Sequence, residues 1–381
     1  MAAPPLWRNS PLYHGPRPLA WLAAIACLLT ACQRPAPEAP RVWPQEGFVR
    51  VAENVDLKYR DWGGDGPPIV LLAGLGNTAA IFDDLAPRLT DAHRVIGLTR
   101  RGFGGSTVTA EGYDVATRVA DVIAVLQSLG IGRALLVGHS IAGDELTGIV
   151  QARPDLVAGL VYLDAAFDRT DKLADEVFDG AEKLLPTTEE VFQFSIADAE
   201  VIDGQLKIKS FPAAQRFAEA QLGAPVPASE LRSQLVLNPD GTLEFKDTSA
   251  AQAGVRAGSD RVKADYRGII VPVTALYADW GDPAAAFPIT ALAGAEARET
   301  MRHHSAKMAE WADQAGLAQV RAQVPGAVVE IIPGAPHSIF LKEPALVSHR
   351  ILETASRAGW QKNLGATPQE AGTETGRDQG Q

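Results

Sequence analysis

The sequence predicts an α/β fold with a doubly wound, mostly parallel sheet, and three observations support this prediction. Short apolar runs alternate along the chain with longer amphipathic stretches, which is the pattern of strands joined by helical crossovers. Several of these runs are continuously apolar, as expected where helices cover both faces of a sheet. The alternation fails over residues 168–262, which indicates a segment inserted between two core strands.

The core is predicted to comprise residues 47–167 and 263–361, on either side of that insertion. The predicted core strands are residues 69–73, 94–99, 134–137, 160–164, 273–277 and 328–332. The predicted core helices are residues 81–89, 115–130, 144–152 and 298–324. Strands and helices in this order place the carboxyl ends of the parallel strands at one edge of the sheet, where α/β proteins bind ligands.

The inserted segment, residues 168–262, has the pattern of a mixed cap or lid. Helical patterns occupy residues 172–185 and 213–222, and two turn signals indicate β-hairpins. One hairpin turns at Asp203-Gly204 and the other at Asn238-Pro239-Asp240-Gly241. The alternative is that this segment continues the main sheet.

Residues 1–31 have the features of an export signal. Arg8 and Arg17 precede an apolar stretch at residues 19–29, which is too short to span a bilayer comfortably and is followed by small residues. The sequence Leu29-Thr30-Ala31-Cys32 resembles the lipobox of bacterial lipoproteins, and that resemblance implies cleavage before Cys32 and lipidation of Cys32. The alternatives are a plain secretory signal or a small membrane anchor.

The expected product is an exported lipoprotein on the periplasmic or cell-surface side of a membrane, at the outer membrane if the cell is Gram-negative. Residues 32–46 are proline-rich and predict an extended tether, whereas residues 362–381 have the composition of a disordered tail. Cleavage would also remove Cys27, so we expect no disulfide in the mature chain. The formal net charge of −11 and the absence of a basic tract in the sequence argue against nucleic acid as a partner.

Ser140 is the predicted nucleophile. It lies in Gly138-His139-Ser140-Ile141-Ala142-Gly143, directly after the apolar run at residues 134–137. Small residues two places before and two places after the serine allow a sharp strand-to-helix turn that exposes the hydroxyl. The backbone N–H of Ile141, at the start of the next helix, then points toward the same place and can stabilise an oxyanion. An ordinary glycine-rich turn is the alternative for this hexapeptide alone.

Leu75 is predicted to supply a second oxyanion donor. The sequence Ala73-Gly74-Leu75-Gly76-Asn77 follows the first core strand, and a glycine-rich turn there can direct a backbone N–H to the top of the sheet. Two fixed donors suit a developing oxyanion because they need no reorganisation during the reaction.

Two aspartates compete for the role of triad acid. Asp279 and Asp282 both follow the strand predicted at residues 273–277, where a carboxylate can orient an imidazole and stabilise its charged form. We favour Asp282, because the following Pro283 places it on a rigid turn.

His337 is the predicted general base, since it lies in a loop after the last predicted strand and can exchange a proton with the serine. The adjacent His303 and His304 could suggest a metal site, but the sequence offers no second cluster of ligands. We therefore expect no metal and no other cofactor.

These motifs together resemble the α/β-hydrolase superfamily over residues 47–360. The features that carry the resemblance are residues 73–76, 101–106, 138–143, 282–283 and 334–337, in this order along the chain. The resemblance implies a Ser-His-Asp triad, an oxyanion hole of two backbone amides, and a cap where the insertion lies. The chain departs from the family in having Ala73-Gly74 where His-Gly is usual and Thr99-Arg100 where an aspartate often precedes Arg-Gly, so the support of the oxyanion loop is expected to differ.

The resemblance implies a serine esterase that acts on a small or medium-sized acyl substrate through an acyl-enzyme intermediate. A proline-iminopeptidase-like aminopeptidase is the alternative, and it would need acidic cap residues to hold a substrate amine. Glu182, Glu189 and Glu190 are available for that role. A non-catalytic binding protein on the same fold is a further alternative, disfavoured because Ser140, an aspartate and His337 are all present.

Overall fold

The computed structural model describes residues 44–170, 199–202, 205–286, 288 and 295–360. The predicted signal, Cys32, most of the tether, the helix predicted at residues 172–185 and the tail lie outside the described residues. The acidic residues considered for an aminopeptidase, Glu182, Glu189 and Glu190, also lie outside them.

The described residues contain twelve strands, several of them wholly apolar in sequence. The strands are β1 (Gln45–Ala52), β2 (Val55–Gly63), β3 (Ile69–Leu72), β4 (Val95–Leu98), β5 (Ala134–His139), β6 (Val157–Leu163), β7 (Ala199–Ile202), β8 (Gln205–Ile208), β9 (Leu235–Leu237), β10 (Leu243–Phe245), β11 (Val273–Tyr277) and β12 (Val328–Ile331). Every residue of β3, β4, β5 and β6 is buried. Strands buried on both faces account for the continuous apolar runs in the sequence.

Helices connect most of these strands. The α-helices of the described residues are α1 (Val115–Ser128), α2 (Ala142–Ala152), α3 (Phe211–Leu222), α4 (Ala228–Gln234), α5 (Ser249–Ser259), α6 (Pro283–Ala286), α7 (Ala295–Ala312), α8 (Ala318–Gln323), α9 (Ile339–Lys342) and α10 (Pro344–Arg357). Short 3₁₀ helices lie at Ala79–Phe82, Ala86–Arg88 and Pro154–Leu156. None of the helices within the described ranges is both long and apolar enough to cross a membrane.

The main sheet has eight strands in the order β1-β2-β4-β3-β5-β6-β11-β12. Strand β2 pairs antiparallel with both β1 and β4. The remaining strands of this sheet run parallel to one another, in the order β4, β3, β5, β6, β11 and β12. This confirms the predicted doubly wound, mostly parallel sheet. Strand β5, which leads to Ser140, lies between β3 and β6, so the loops after these three strands meet at one edge.

The first two strands, which form the β1–β2 hairpin, are not among the strands predicted from the sequence. In β1 only Val49 is buried, and the other residues are exposed or half-buried. An edge hairpin with so few buried positions lacks the apolar run by which the interior strands are recognised. The antiparallel edge therefore left little signal in the sequence.

Two predicted helices are interrupted. The helix predicted at residues 81–89 is two 3₁₀ helices, the second of which has Pro87 within its first turn; proline cannot donate the backbone hydrogen bond that a continuous helix requires. The helix predicted at residues 298–324 is divided by a π-helical turn, Asp313–Leu317. There, Gly316 lies so close to Phe167 that a Cβ would come within 2.7 Å of the phenyl ring.

The chain between β6 and β11 forms a second sheet of its own. Its four strands pair in the order β7-β8-β10-β9, and both predicted hairpins are present as β7–β8 and β9–β10. Helices α3, α4 and α5 belong to the same segment. Within the described residues, the segment adds no strand to the main sheet.

Candidate active site

Ser140 lies on a strained turn between β5 and α2. Its φ is +55°, a left-handed conformation that side-chain-bearing residues rarely adopt and that recurs at functional sites. A Cβ on Gly138 would lie 2.7 Å from the Leu146 side chain, and Ala142 is fully buried. Small residues are therefore required on both sides of the serine, as the motif predicts.

Gly143 offers a test of this close packing. A Cβ there would lie 2.0 Å from the backbone oxygen of Ala165, so we expect Gly143→Ala to destabilise the protein by at least about 1–3 kcal/mol. Thermal denaturation should show a clearly lower melting temperature. Gly132→Ala is the control, because a Cβ at Gly132 meets no atom within 4 Å; equal melting temperatures for the two variants would contradict the packing argument.

The structure brings Ser140 and His337 into contact. The hydroxyl of Ser140 donates to Nε2 of His337 across 2.8 Å. On its other side, Nδ1 of His337 donates to Oδ2 of Asp164 across 2.5 Å. The carboxylate is fully buried, whereas the imidazole is about one-third exposed at 37%, so a substrate can reach the serine side of the ring.

Asp164 takes the position predicted for Asp282. It directly follows β6 and adopts a φ of +48°. Its other oxygen, Oδ1, accepts hydrogen bonds from the backbone N–H of Ala278 at 3.0 Å and from Nε1 of Trp280 at 3.2 Å. The loop after β11 therefore orients the acid without supplying it.

The prediction that Asp282 or Asp279 contacts His337 is wrong. Oδ1 of Asp282 instead accepts from the backbone N–H of Ala284 at the start of α6. Oδ2 of Asp279 accepts from Gly334 N at 2.9 Å, which ties the loop after β11 to the loop that carries His337. The sequence contains a signal for Asp164, because this carboxylate directly follows an apolar strand. The strand predicted at residues 160–164, however, includes Asp164 as its last residue.

The two predicted oxyanion donors lie beside Ser140. Neither the backbone N–H of Leu75 nor that of Ile141 donates to another described residue. A Cβ on Gly74 would lie 3.3 Å from Cβ of Ser140, so the loop that carries Leu75 passes directly against the serine. Neither N–H group is thus committed to a backbone acceptor among the described residues, as an oxyanion donor requires.

An apolar cluster lines the site around these donors. The buried side chain of Ile141 and the half-buried one of Leu75 belong to a cluster completed by Phe103, Tyr113, Ala251 and Val255. Ala251 and Val255 come from helix α5 of the inserted segment. Core and insertion thus pack against each other in a buried apolar cluster that includes Ile141, the residue after the serine.

His139 supports the loop of His337. Its Nε2 donates to the backbone oxygen of His337 at 3.1 Å, and the two rings lie 4.6 Å apart. Burial holds the pKa of His139 well below its usual range, so this ring is neutral. A neutral imidazole can support His337 without opposing the positive charge that His337 would acquire.

Within the described ranges, no group of three histidine, cysteine, aspartate or glutamate side chains is arranged to hold a metal ion. His303 and His304 both lie on helix α7.

Comparison with known proteins places the chain among the hydrolases of this fold. Residues 69–350 match the model of the alpha/beta hydrolase family. The chain is 27% identical over 293 residues to 2-(acetamidomethylene)succinate hydrolase of Mesorhizobium japonicum, covering 76% of this chain and 86% of that protein. It is 34% identical over 149 residues to the bifunctional esterase/perhydrolase of Acinetobacter calcoaceticus, covering 36% of this chain and 54% of that protein, so it spans only about half the length of this relative.

Solved structures agree on the fold. The crystal structure of E-2-(acetamidomethylene)succinate hydrolase superimposes with a TM-score of 0.59 at 21% identity, covering 82% of this chain and 99% of the other. A thioesterase domain from the curacin biosynthetic pathway superimposes with a TM-score of 0.55 at 15% identity, with 81% and 99% coverage. The sheet described above is therefore that of the α/β-hydrolase fold.

Proposed function

The chain belongs to the α/β-hydrolase family, and from this premise we propose that it is a serine hydrolase that cleaves an ester or related acyl bond. The observation that carries the proposal is the continuous hydrogen-bonded series from Ser140 through His337 to buried Asp164. This arrangement of nucleophile, base and orienting acid is recognised by its geometry rather than by its position in the sequence.

The proposed reaction proceeds through an acyl-enzyme. His337 Nε2 accepts the hydroxyl proton as Ser140 Oγ attacks the substrate carbonyl, and Asp164 stabilises the resulting imidazolium. The N–H groups of Leu75 and Ile141 stabilise the oxyanion. His337 then gives the proton to the leaving alcohol. In the second half of the reaction, His337 accepts a proton from water as the water oxygen attacks the acyl-enzyme carbonyl, and it gives that proton to Ser140 Oγ as the acid is released.

The substrate we propose is small or medium-sized, with its acyl group next to Leu75, the one half-buried side chain of the apolar cluster. A second candidate is hydrolysis of a C–N acyl bond. It is favoured by the 2-(acetamidomethylene)succinate hydrolase of Mesorhizobium japonicum, because the compound in that name contains an acetamido group. The chain matches that protein over most of its length. The residues on which the aminopeptidase alternative depends, Glu182, Glu189 and Glu190, lie outside the described residues. Export and a lipid tether at Cys32 remain part of the proposal on sequence grounds.

Fluorophosphonate labelling followed by a substrate panel tests the proposal. We expect stoichiometric labelling at Ser140 and turnover of short p-nitrophenyl esters. The panel also includes amino-acyl arylamides and N-acyl enamides of dicarboxylic acids, so it separates esterase, peptidase and C–N hydrolase. A folded protein that neither labels nor turns over any of these acyl compounds would contradict the proposal.

A further inference from the structure

The oxyanion loop, residues 73–78, has little backbone support of its own. Within it, the described residues form one backbone hydrogen bond, from Asn77 N to Gly74 O, and it is long at 3.4 Å. Gly76 adopts a φ of +82°, a conformation that costs glycine little but leaves the loop free to adopt others. A donor that must already point at the oxyanion before reaction needs other restraints.

Arg100 restrains the loop from the core. It donates to the backbone oxygen of Ala73 at 3.0 Å and to that of Gly74 at 3.4 Å. Its Nε is held by Glu145 of helix α2 at 2.6 Å. Both side chains are buried, so this restraint is a fixed part of the core.

Glu230 and Gln234 restrain the loop from the inserted segment. They lie one turn apart on helix α4 and therefore on the same face. Glu230 Oε1 accepts from the backbone N–H of Thr78 at 2.9 Å and from Asn77 Nδ2 at 3.1 Å, and Oε2 accepts from the Thr78 hydroxyl. Gln234 donates to the backbone oxygen of Gly76 at 3.0 Å and to Glu230 at 2.6 Å.

Burying the carboxyl of Glu230 at this position costs free energy. It is 1% exposed, and the like charge of Asp83 adds a smaller rise to its pKa. Burial raises the pKa of Glu230 to about 7, although the hydrogen bonds from Thr78 and Asn77 lower it. A buried carboxyl that forms no ion pair with a described residue is retained against a desolvation cost, and its hydrogen bonds go mainly to one loop.

We propose that Glu230 and Gln234 are positioning residues that fix the oxyanion loop, so that the oxyanion hole is complete only when helix α4 is docked on the core. This inference rests on the proposed function, because it takes the N–H of Leu75 as an oxyanion donor. The loop is then held at both of its ends, by Arg100 at residues 73–74 and by helix α4 at residues 76–78.

Glu230→Ala is the principal test. Removing one oxyanion-hole donor outright lowers kcat by about 10²–10³-fold, so loosening the loop should lower kcat by about 10–100-fold, with KM within about threefold of wild type. Binding of an alkyl boronic acid, whose adduct with Ser140 places an oxygen in the hole, should weaken by a similar factor. Binding of the product acid, which has no tetrahedral centre, should change by less than about threefold.

Two variants and one control complete the test. Glu230→Gln should stay within about threefold of wild type, because its Oε1 still accepts from Thr78 N and its amide can donate to the Thr78 hydroxyl. Ser229→Ala, on the same helix but bonded to Asp83, should leave kcat and boronate affinity unchanged. If Glu230→Ala does not fold, Gln234→Ala should lower both quantities by about 3–10-fold.

The outcomes separate this inference from the proposed function. Normal kcat in folded Glu230→Ala and Gln234→Ala proteins would overturn the inference while the wild-type enzyme still turns over esters. A loss of kcat with unchanged boronate affinity would also overturn it, because the defect would then lie outside the oxyanion hole. A wild-type protein that neither hydrolyses esters nor reacts with fluorophosphonate would instead overturn the proposed function.

Discussion

Ser140→Ala is expected to lower kcat for short esters by about 10⁶-fold, to the level that binding and the oxyanion hole alone provide. The variant lacks the oxygen that attacks the carbonyl, and no neighbouring group can replace it, since His139 is buried and bonded to the His337 backbone. Steady-state hydrolysis of a p-nitrophenyl ester measures the loss, and fluorophosphonate labelling should disappear with it.

The stability of this variant should remain close to that of wild type. Position 140 has a left-handed backbone conformation, which costs alanine and serine a similar free energy. Ser348→Ala is a suitable control: its buried hydroxyl donates to the backbone oxygen of Ala345 within α10, so activity should be retained. Undiminished turnover by a folded Ser140→Ala protein would rule out the proposed mechanism.

Asp164→Asn is expected to lower kcat by about 10⁴-fold. The asparagine Oδ1 can still accept from Ala278 and Trp280, so the local fold should persist. Its amide, however, presents N–H to Nδ1 of His337 and favours the tautomer that is protonated on Nε2. That tautomer cannot accept the proton of Ser140.

The matched comparison is Asp282→Asn, which should remain within about threefold of wild type, because an asparagine Oδ1 can accept from Ala284 equally well. Asp279→Ala should lie between the two, since alanine removes the acceptor for the backbone N–H of Gly334 in the His337 loop. Steady-state kinetics on all three variants decide the assignment. A larger loss in Asp282→Asn than in Asp164→Asn would contradict the observed geometry.

The sequence predicted the parts of the fold that have strong local signals. The strands β3 to β6 are buried throughout and almost wholly apolar, and Ser140 lies in a turn whose small neighbours are sterically required. By contrast, β1 has only one buried residue, and Pro87 divides a helix whose apolar spacing appears continuous. Local pattern therefore predicted the parallel strands of the sheet, including the edge strand β12, better than its antiparallel hairpin.

The acid could not be predicted in the same way, because its identity depends on which loops meet in space. Asp164 and Asp282 both follow sheet strands, and only the placement of β6 between β5 and β11 shows which carboxylate reaches His337. The supports of the oxyanion loop are equally non-local: Thr78 and Glu230 are 152 residues apart in sequence. No spacing rule connects residues at that separation.

The position of Asp164 directly after β6 also divides the proposed roles along the chain. The proposed nucleophile, oxyanion donors and acid all precede residue 165, whereas the proposed proton carrier, His337, and the α4 residues that contact the oxyanion loop come later in the chain. Sequence change in the loop after β11 is consequently constrained by how it holds Asp164, through Ala278 and Trp280, and not by any need to supply a carboxylate.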